Sequence, residues 1–164
     1  MPIVIPKQTH PLFDGRQSEN AMLVRRGVQR LFLKMELAVL PELSLASGRR
    51  ADLIAVSRKG EIWIVEIKSS IEDWKADRKW PDYRNHCDRL FFATHPTVPS
   101  DIFPKDCGFI LSDGYGAEIL RDAPEHKLPG ATRKALMLRF ARVSAARLTI
   151  AELAGLEIPE ANID

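Results

Sequence analysis

Two carboxylates and a lysine stand among apolar residues near the middle of this chain. Asp52 precedes the apolar run at residues 53–56, and Glu66 and Lys68 lie at the end of a second run at residues 62–67. An ionised side chain in apolar surroundings is costly unless it is paired or bound to a metal. Carboxylate oxygens suit Mg²⁺, and a bound Mg²⁺ beside a cation promotes phosphodiester hydrolysis. The pattern therefore predicts a metal-dependent site of this kind.

The spacing of these residues also predicts that they meet in space. Side chains alternate between the two faces of a strand, so Glu66 and Lys68 share one face. The polar turn at residues 59–60 predicts an antiparallel pair that brings Asp52 opposite the end of the next strand. Asp52 and Glu66 would then hold the metal with the backbone carbonyl of Ile67. Lys68 would position the attacking water or stabilise the charged phosphorane.

A structural role is the alternative for each residue taken singly. Glu66 and Lys68 could form a salt bridge at a strand end, while Asp52 caps a turn. The three residues together, in a strand–turn–strand context, favour the metal site.

Apolar periodicity predicts the elements that position these residues. In chain order they are a helix over residues 18–35 capped by Ser18, strands near 43–45, 53–56 and 62–67, a helix capped by Ser69 or Ser70 that breaks near Trp80 and restarts at Pro81, a strand at 89–94, a hairpin at 108–111 and 118–120, and a helix over about 131–146. This order predicts an α/β sandwich with a mixed central sheet.

Length and composition are those of one soluble domain. The 164 residues suffice for a single core, with residues 1–15 as an irregular lead-in and residues 155–164 as a tail. Apolar residues make up 45% and charged residues 28%, as in ordinary globular proteins. The net charge of +2 does not by itself indicate a nucleic-acid partner.

The remaining features favour a cytoplasmic protein. Cys87 and Cys107 lack the spacing of a zinc site or a disulfide framework, which indicates a reducing compartment. The N-terminus does not have the pattern of a signal peptide, and no apolar run reaches the length of a membrane span.

Asp52 followed by Glu66-x-Lys68 on consecutive strands after a helix resembles the PD-(D/E)XK, or restriction-endonuclease-like, superfamily. Ala51 stands where that superfamily usually has a proline, which shapes the backbone and binds no metal. More narrowly, several segments resemble the MmcB family of bacterial DNA repair proteins across about residues 16–148. They are residues 47–56 and 64–70, Asp73-Trp74, Asp77, residues 79–83 and residues 87–89.

The resemblance implies a restriction-endonuclease-like α/β/α sandwich with a central mixed sheet of about five strands. It implies a role in DNA repair, plausibly in damage-induced mutagenesis, with Mg²⁺ or Mn²⁺ as the metal and DNA as the partner. Cleavage of damaged, branched or single-stranded DNA is the leading hypothesis. The alternative is a non-cleaving module that recruits repair factors or translesion polymerases, and RNA cleavage is a third. A homodimer stays open, since no self-complementary surface is evident.

The resemblance also suggests further site residues. The first helix of related nucleases often donates another acid, for which Glu19 is the candidate, although an acid at a helix start more often faces the dipole. Lys79 and Tyr83 match a motif that contacts the metal-bound water and DNA, with lysine in place of glutamine. Trp74 and Trp80 could stack on unpaired bases, or equally could pack a helix onto the sheet.

Basic residues supply the remaining candidates. Arg49 and Arg50 flank the proposed site. The last predicted helix carries a basic set in which Arg139 and Arg142 are the predicted phosphate contacts. The alternative is a basic helix face that is merely solvated.

Overall fold

The computed structural model describes residues 19–160. Its helices are α1 (Glu19–Lys34), α2 (Ile71–Ala76) and α3 (Gly130–Leu153), its strands are β1 (Ala38–Ser44), β2 (Arg50–Val56), β3 (Ile62–Lys68), β4 (Arg89–Thr94), β5 (Gly108–Ser112) and β6 (Ala117–Arg121), and short 3-10 helices lie at Trp80–His86 and Ser100–Ile102. The predicted cap Ser18 and the predicted lead-in at residues 1–15 lie outside the described residues.

The six strands form one mixed sheet in the order β1-β2-β3-β4-β5-β6. Strands β1 to β3 are antiparallel neighbours, β3 to β5 are parallel, and β6 returns antiparallel to β5. The connection from β3 to β4 carries α2 and the first 3-10 helix. The predicted α/β/α sandwich is confirmed, with six strands where about five were expected.

Each face of the sheet buries its own apolar core. Helix α1 covers one face with Val24, Val28 and Phe32, which pack with Leu53 and Val65. On the opposite face α2, the first 3-10 helix and α3 cover a larger core, whose central members include Ile54, Ile64, Phe92 and Leu136. Strand β3 is therefore covered on both sides, which explains its near-continuous apolar sequence.

Three regions of the chain differ from the prediction. Strand β1 begins at Ala38, ahead of Pro41, which is accommodated because β1 is an edge strand with one unpaired side. Helix α2 ends at Ala76, ahead of the predicted break near Trp80, and Trp80–His86 is a 3-10 helix with Pro81 in its first turn, in place of a restarted α-helix. Helix α3 extends to Leu153, beyond the predicted end near residue 146. Across residues 19–160, no helix has the length and apolar character needed to cross a membrane.

Candidate functional site

The backbone pairing of β2 with β3 stops just before the two carboxylate residues, Asp52 and Glu66. The ladder ends with Leu53 opposite Val65, so its next step would place Asp52 opposite Glu66. There the side chains replace the ladder: Glu66 Oε1 accepts the Asp52 N–H at 3.2 Å, and Asp52 Oδ2 accepts the Ile67 N–H at 2.8 Å. The structure therefore brings the two predicted metal ligands together.

Both carboxyl groups are held where ionisation is unfavourable. Glu66 is only 4% exposed, and burial followed by the charge of Asp52 raises its pKa well above the usual range. Burial also raises the pKa of Asp52 to about 6, although the Ile67 N–H favours the carboxylate. Two acids in such a setting resist ionising together unless a cation joins them.

Lys68 pairs with an acid from the following helix. Its Nζ lies 2.7 Å from Asp77 Oδ2, and both side chains are largely buried. Burial, the largest single effect, would lower the pKa of Lys68, but the hydrogen bond to Asp77 and the neighbouring negative charges together raise it. Burial would raise the pKa of Asp77, but the bond to Lys68, the charge of that lysine and two backbone N–H groups together lower it. The ammonium of Lys68 is therefore held charged beside the carboxylate pair.

Asp77 is the site residue that reasoning from chemistry missed. In the sequence, Asp77 stands out only through the family resemblance. It follows the end of α2, where its Oδ1 also accepts the Lys79 N–H at 3.0 Å. The available signal was the position of this acid, just after the helix that follows the strand carrying Lys68.

These residues line an open pocket of about 470 Å³ where β2 starts and β3 ends. Its lining comprises Ala21, Arg50, Asp52, Glu66, Ile67, Lys68, Ser69, Asp73, Asp77 and Tyr83. Asp73 Oδ2 accepts the Ser69 N–H at 3.1 Å, and Tyr83 donates its hydroxyl to the Arg50 carbonyl at 3.0 Å. Burial raises the pKa of Tyr83, so its hydroxyl remains a donor.

The donor set suits one hard cation with few protein ligands. Within the described part of the chain, no three His, Cys, Asp or Glu side chains form a ready-made metal cluster. Asp52 and Glu66 are nevertheless adjacent carboxylates with raised pKa values, which is the environment that a bound cation relieves. Mg²⁺ commonly keeps several waters and needs only one or two carboxylates. Glu19 is exposed at the start of α1, which contributes Ala21 to the pocket lining.

Trp74 and Trp80 contact the core beneath the pocket. Their ring centroids lie 6.0 Å apart, and each ring meets Phe92 edge-on at 5.1 and 5.4 Å. These are packing contacts of α2 and the 3-10 helix on the sheet. The structure therefore documents the packing role that the sequence left open, while base stacking by either residue stays a prediction.

Two of the predicted DNA-binding cations have partners within the protein. Arg49 forms an ion pair with Asp82 at 2.6 Å. Arg139 donates to the Ser44 carbonyl and so helps to attach α3 to β1, whereas Arg142 is exposed. The side chain of Lys79 is also exposed. Contacts of these residues with DNA stay predictions.

The fold and the pocket define a three-layer α/β/α protein with paired carboxylates and a lysine at the end of two central strands. The model of the MmcB-like DNA repair proteins matches residues 8–155, and the chain belongs to this family. The prediction of that family, made from the segments around Asp52 and Glu66, is confirmed.

A solved structure is similar to the chain in fold and in sequence. It is the SPO1766 protein of unknown function from Silicibacter pomeroyi, which is 38% identical, with a TM-score of 0.79. The match covers 88% of this chain and 99% of that one. No curated protein matches the chain. The family gives the chain a role in DNA repair, while its chemistry remains to be argued from the pocket.

Proposed function

We propose that this protein hydrolyses DNA phosphodiester bonds in a Mg²⁺-dependent reaction at the Asp52–Glu66 pocket. The substrates would be damaged, branched or single-stranded DNA. The observation that carries the proposal is the pair of adjacent carboxyl groups whose pKa values are both raised. A fold that keeps two such groups together accepts a cost in stability, which a metal-binding function explains.

Five residues of the pocket have a role in this proposal. Asp52 and Glu66 bind the metal, assisted by the Ile67 carbonyl. A bound Mg²⁺ would supply Lewis-acid chemistry that activates water and offsets charge on the phosphate. Lys68 positions the water or stabilises the phosphorane, and Asp77 fixes the direction of its ammonium.

The decisive experiment combines a substrate panel with isosteric variants. Purified protein is incubated with Mg²⁺ or Mn²⁺ and with duplex, single-stranded and flapped DNAs, together with matching RNAs. Asp52→Asn and Glu66→Gln keep the shape of each side chain and remove its charge, so both should abolish cleavage. Asp101→Asn, at an exposed acid in the second 3-10 helix, is the matched control and should cleave like the wild type. Cleavage that persists in both pocket variants would overturn the proposal.

The second candidate is a non-cleaving DNA-binding module that recruits repair factors or polymerases. One observation favours it: the ammonium of Lys68 is committed to Asp77 by a short ion pair. Absence of cleavage on every substrate, together with salt-sensitive DNA binding that Asp52→Asn leaves unchanged, would support this candidate. Cleavage of the RNAs alone would identify RNA as the substrate.

A further inference from the structure

The turn between β5 and β6 displays an aromatic side chain in solvent. Tyr115 is 89% exposed, well above Leu33 at 63% and Leu120 at 51%. Both faces of its ring are therefore open to a ligand. The open π-face of such a ring is available for stacking with a flat ligand.

The turn that carries Tyr115 is tightly ordered by hydrogen bonds. The Oδ1 atom of Asp113 accepts the N–H groups of Tyr115 and Gly116 at 2.9 and 3.0 Å. Gly114 adopts a positive φ of 92°, which favours glycine. The ring thus stands on a preorganised support, and binding through it would cost little backbone entropy.

Helix α1 fixes this turn from below. Arg30 donates to the Gly114 carbonyl at 2.6 Å, and the Ser112 hydroxyl donates to the Val24 carbonyl at 3.1 Å. Leu23 packs beneath Gly114, with its Cβ 3.1 Å from the position that an added Cβ would occupy. Hydrogen bonds and packing therefore attach the turn to α1 at Leu23, Val24 and Arg30.

The same edge of the sheet holds both this turn and the acidic pocket. In the parallel part of the sheet, Lys68 is level with Thr94, and Thr94 with Leu111, so the chain leaves β5 beside the end of β3. Strands β3 and β5 are two strand spacings apart, or about 10 Å. Helix α1 spans the gap, because Ala21 lines the pocket while Leu23 contacts the turn.

We propose that Tyr115 is a stacking platform for an unpaired base of a DNA strand that enters the acidic pocket. Every base offers a π-face to an aromatic ring, so such stacking tolerates any sequence but requires an unpaired base. The proposal rests on the proposed function for the identity of the pocket's ligand, and it narrows the substrate to single-stranded or flapped DNA. Trp74 and Trp80 are half-buried against Phe92, whereas the turn at the same end of the sheet as the pocket holds Tyr115 almost fully exposed.

The test measures binding in the absence of metal, so that it does not depend on cleavage. Fluorescence anisotropy with a labelled oligo-dT in EDTA should show that Tyr115→Ala weakens binding about tenfold, as expected for the loss of one stacked base. Tyr115→Phe keeps the ring and should bind like the wild type. Leu120→Ala, which removes an exposed apolar side chain from the same hairpin, is the matched control and should also bind normally.

An abasic oligonucleotide of the same length separates stacking from phosphate contacts. Wild type and Tyr115→Ala should bind it equally, because it retains the phosphates and lacks the bases. Binding of oligo-dT by Tyr115→Ala within twofold of wild type would overturn the proposal, and so would failure of the wild type to bind oligo-dT at low salt. If Tyr115→Ala loses binding and the wild type does not cleave DNA with Mg²⁺, the stacking role of Tyr115 stands and the proposed nuclease activity is rejected.

Discussion

At the scale of single residues, the carboxylate pair carries a cost that the rest of the fold must offset. Asp52 and Glu66 each accept a backbone N–H across the diverging strands, yet burial raises both pKa values. A group whose pKa is raised in the folded state destabilises the fold once the pH exceeds its unfolded pKa. The protein is therefore less stable at neutral pH than it would be with neutral amides at these two positions.

Asp52→Asn should make the metal-free protein more stable at pH 7. Moving the pKa of Asp52 from 3.8 to about 6 corresponds to a cost of at most about 3 kcal/mol, and an amide oxygen can still accept the Ile67 N–H. Urea unfolding in EDTA should show a gain of about 1–3 kcal/mol in the free energy of unfolding. The gain should be full above about pH 6 and vanish below about pH 4. A destabilised variant at pH 7 would contradict this account.

At the scale of elements, Asp88 joins α3 to the sheet. Its fully buried carboxylate accepts the Ile62 and Leu128 N–H groups at 2.7 and 2.9 Å, and both guanidinium nitrogens of Arg133 at 2.5 and 2.6 Å. Burial opposes ionisation, but these bonds prevail and lower the pKa of Asp88 to about 2. One of the basic residues predicted on α3, Arg133, therefore attaches the helix to the sheet.

Asp88→Asn should destabilise the protein strongly, because Arg133 would lose its counter-charge in a largely enclosed setting. Removing one partner of a buried pair typically costs about 3–5 kcal/mol, and urea unfolding at pH 7 measures it. Asp101→Asn again serves as the exposed control. Because the pKa of Asp88 is depressed, its stabilising contribution is present above about pH 4 and lost as the pH falls through about 2. If the wild type begins to unfold above pH 6 when the pH is lowered, protonation of Asp88 is not the cause.

Helix α1 and the Tyr115 turn approach each other through Gly27. A Cβ at this position would lie 2.0 Å from Ser112 Oγ and 2.9 Å from the Gly116 carbonyl oxygen. Gly27→Ala should therefore cost about 1–3 kcal/mol in the free energy of unfolding, despite the higher helix propensity of alanine. Gly130→Ala is the matched control, because that Cβ would meet nothing within 4 Å. Equal stability of the two variants would show that α1 does not pack as described.

At the scale of the whole molecule, a metal that binds only the folded state should stabilise the entire domain. A ligand present at a hundred times its Kd adds about 2.7 kcal/mol to the free energy of unfolding. Mg²⁺ or Mn²⁺ should therefore raise the Tm of the wild type in a concentration-dependent way. Asp52→Asn and Glu66→Gln should show no such shift, and a shift of equal size in these variants would place the metal elsewhere.

Much of the fold was predictable because its signals are local. Period-two and period-3.6 apolar patterns predicted the helices and strands, and the Ser70 cap of α2 is present with its bond to the Asp73 N–H at 3.0 Å. The end of α3 was missed because exposed apolar residues such as Leu148 and Ile150 carry no buried face that marks a boundary. Trp80, the first residue of the 3-10 helix, packs against Phe92, and a local pattern does not contain this contact.

The sequence by itself determined that Asp52, Glu66 and Lys68 lie at the ends of paired strands, because side-chain alternation and a short turn leave few other arrangements. Only the tertiary structure decided the partner of Lys68 and the use of the arginines. Asp77 reaches Lys68 because the connection from β3 to β4 folds α2 back over the strand end, and Arg133 reaches Asp88 because α3 crosses the sheet. Such pairings depend on how the elements pack against one another in space, which the alternation of side chains along a single strand does not determine.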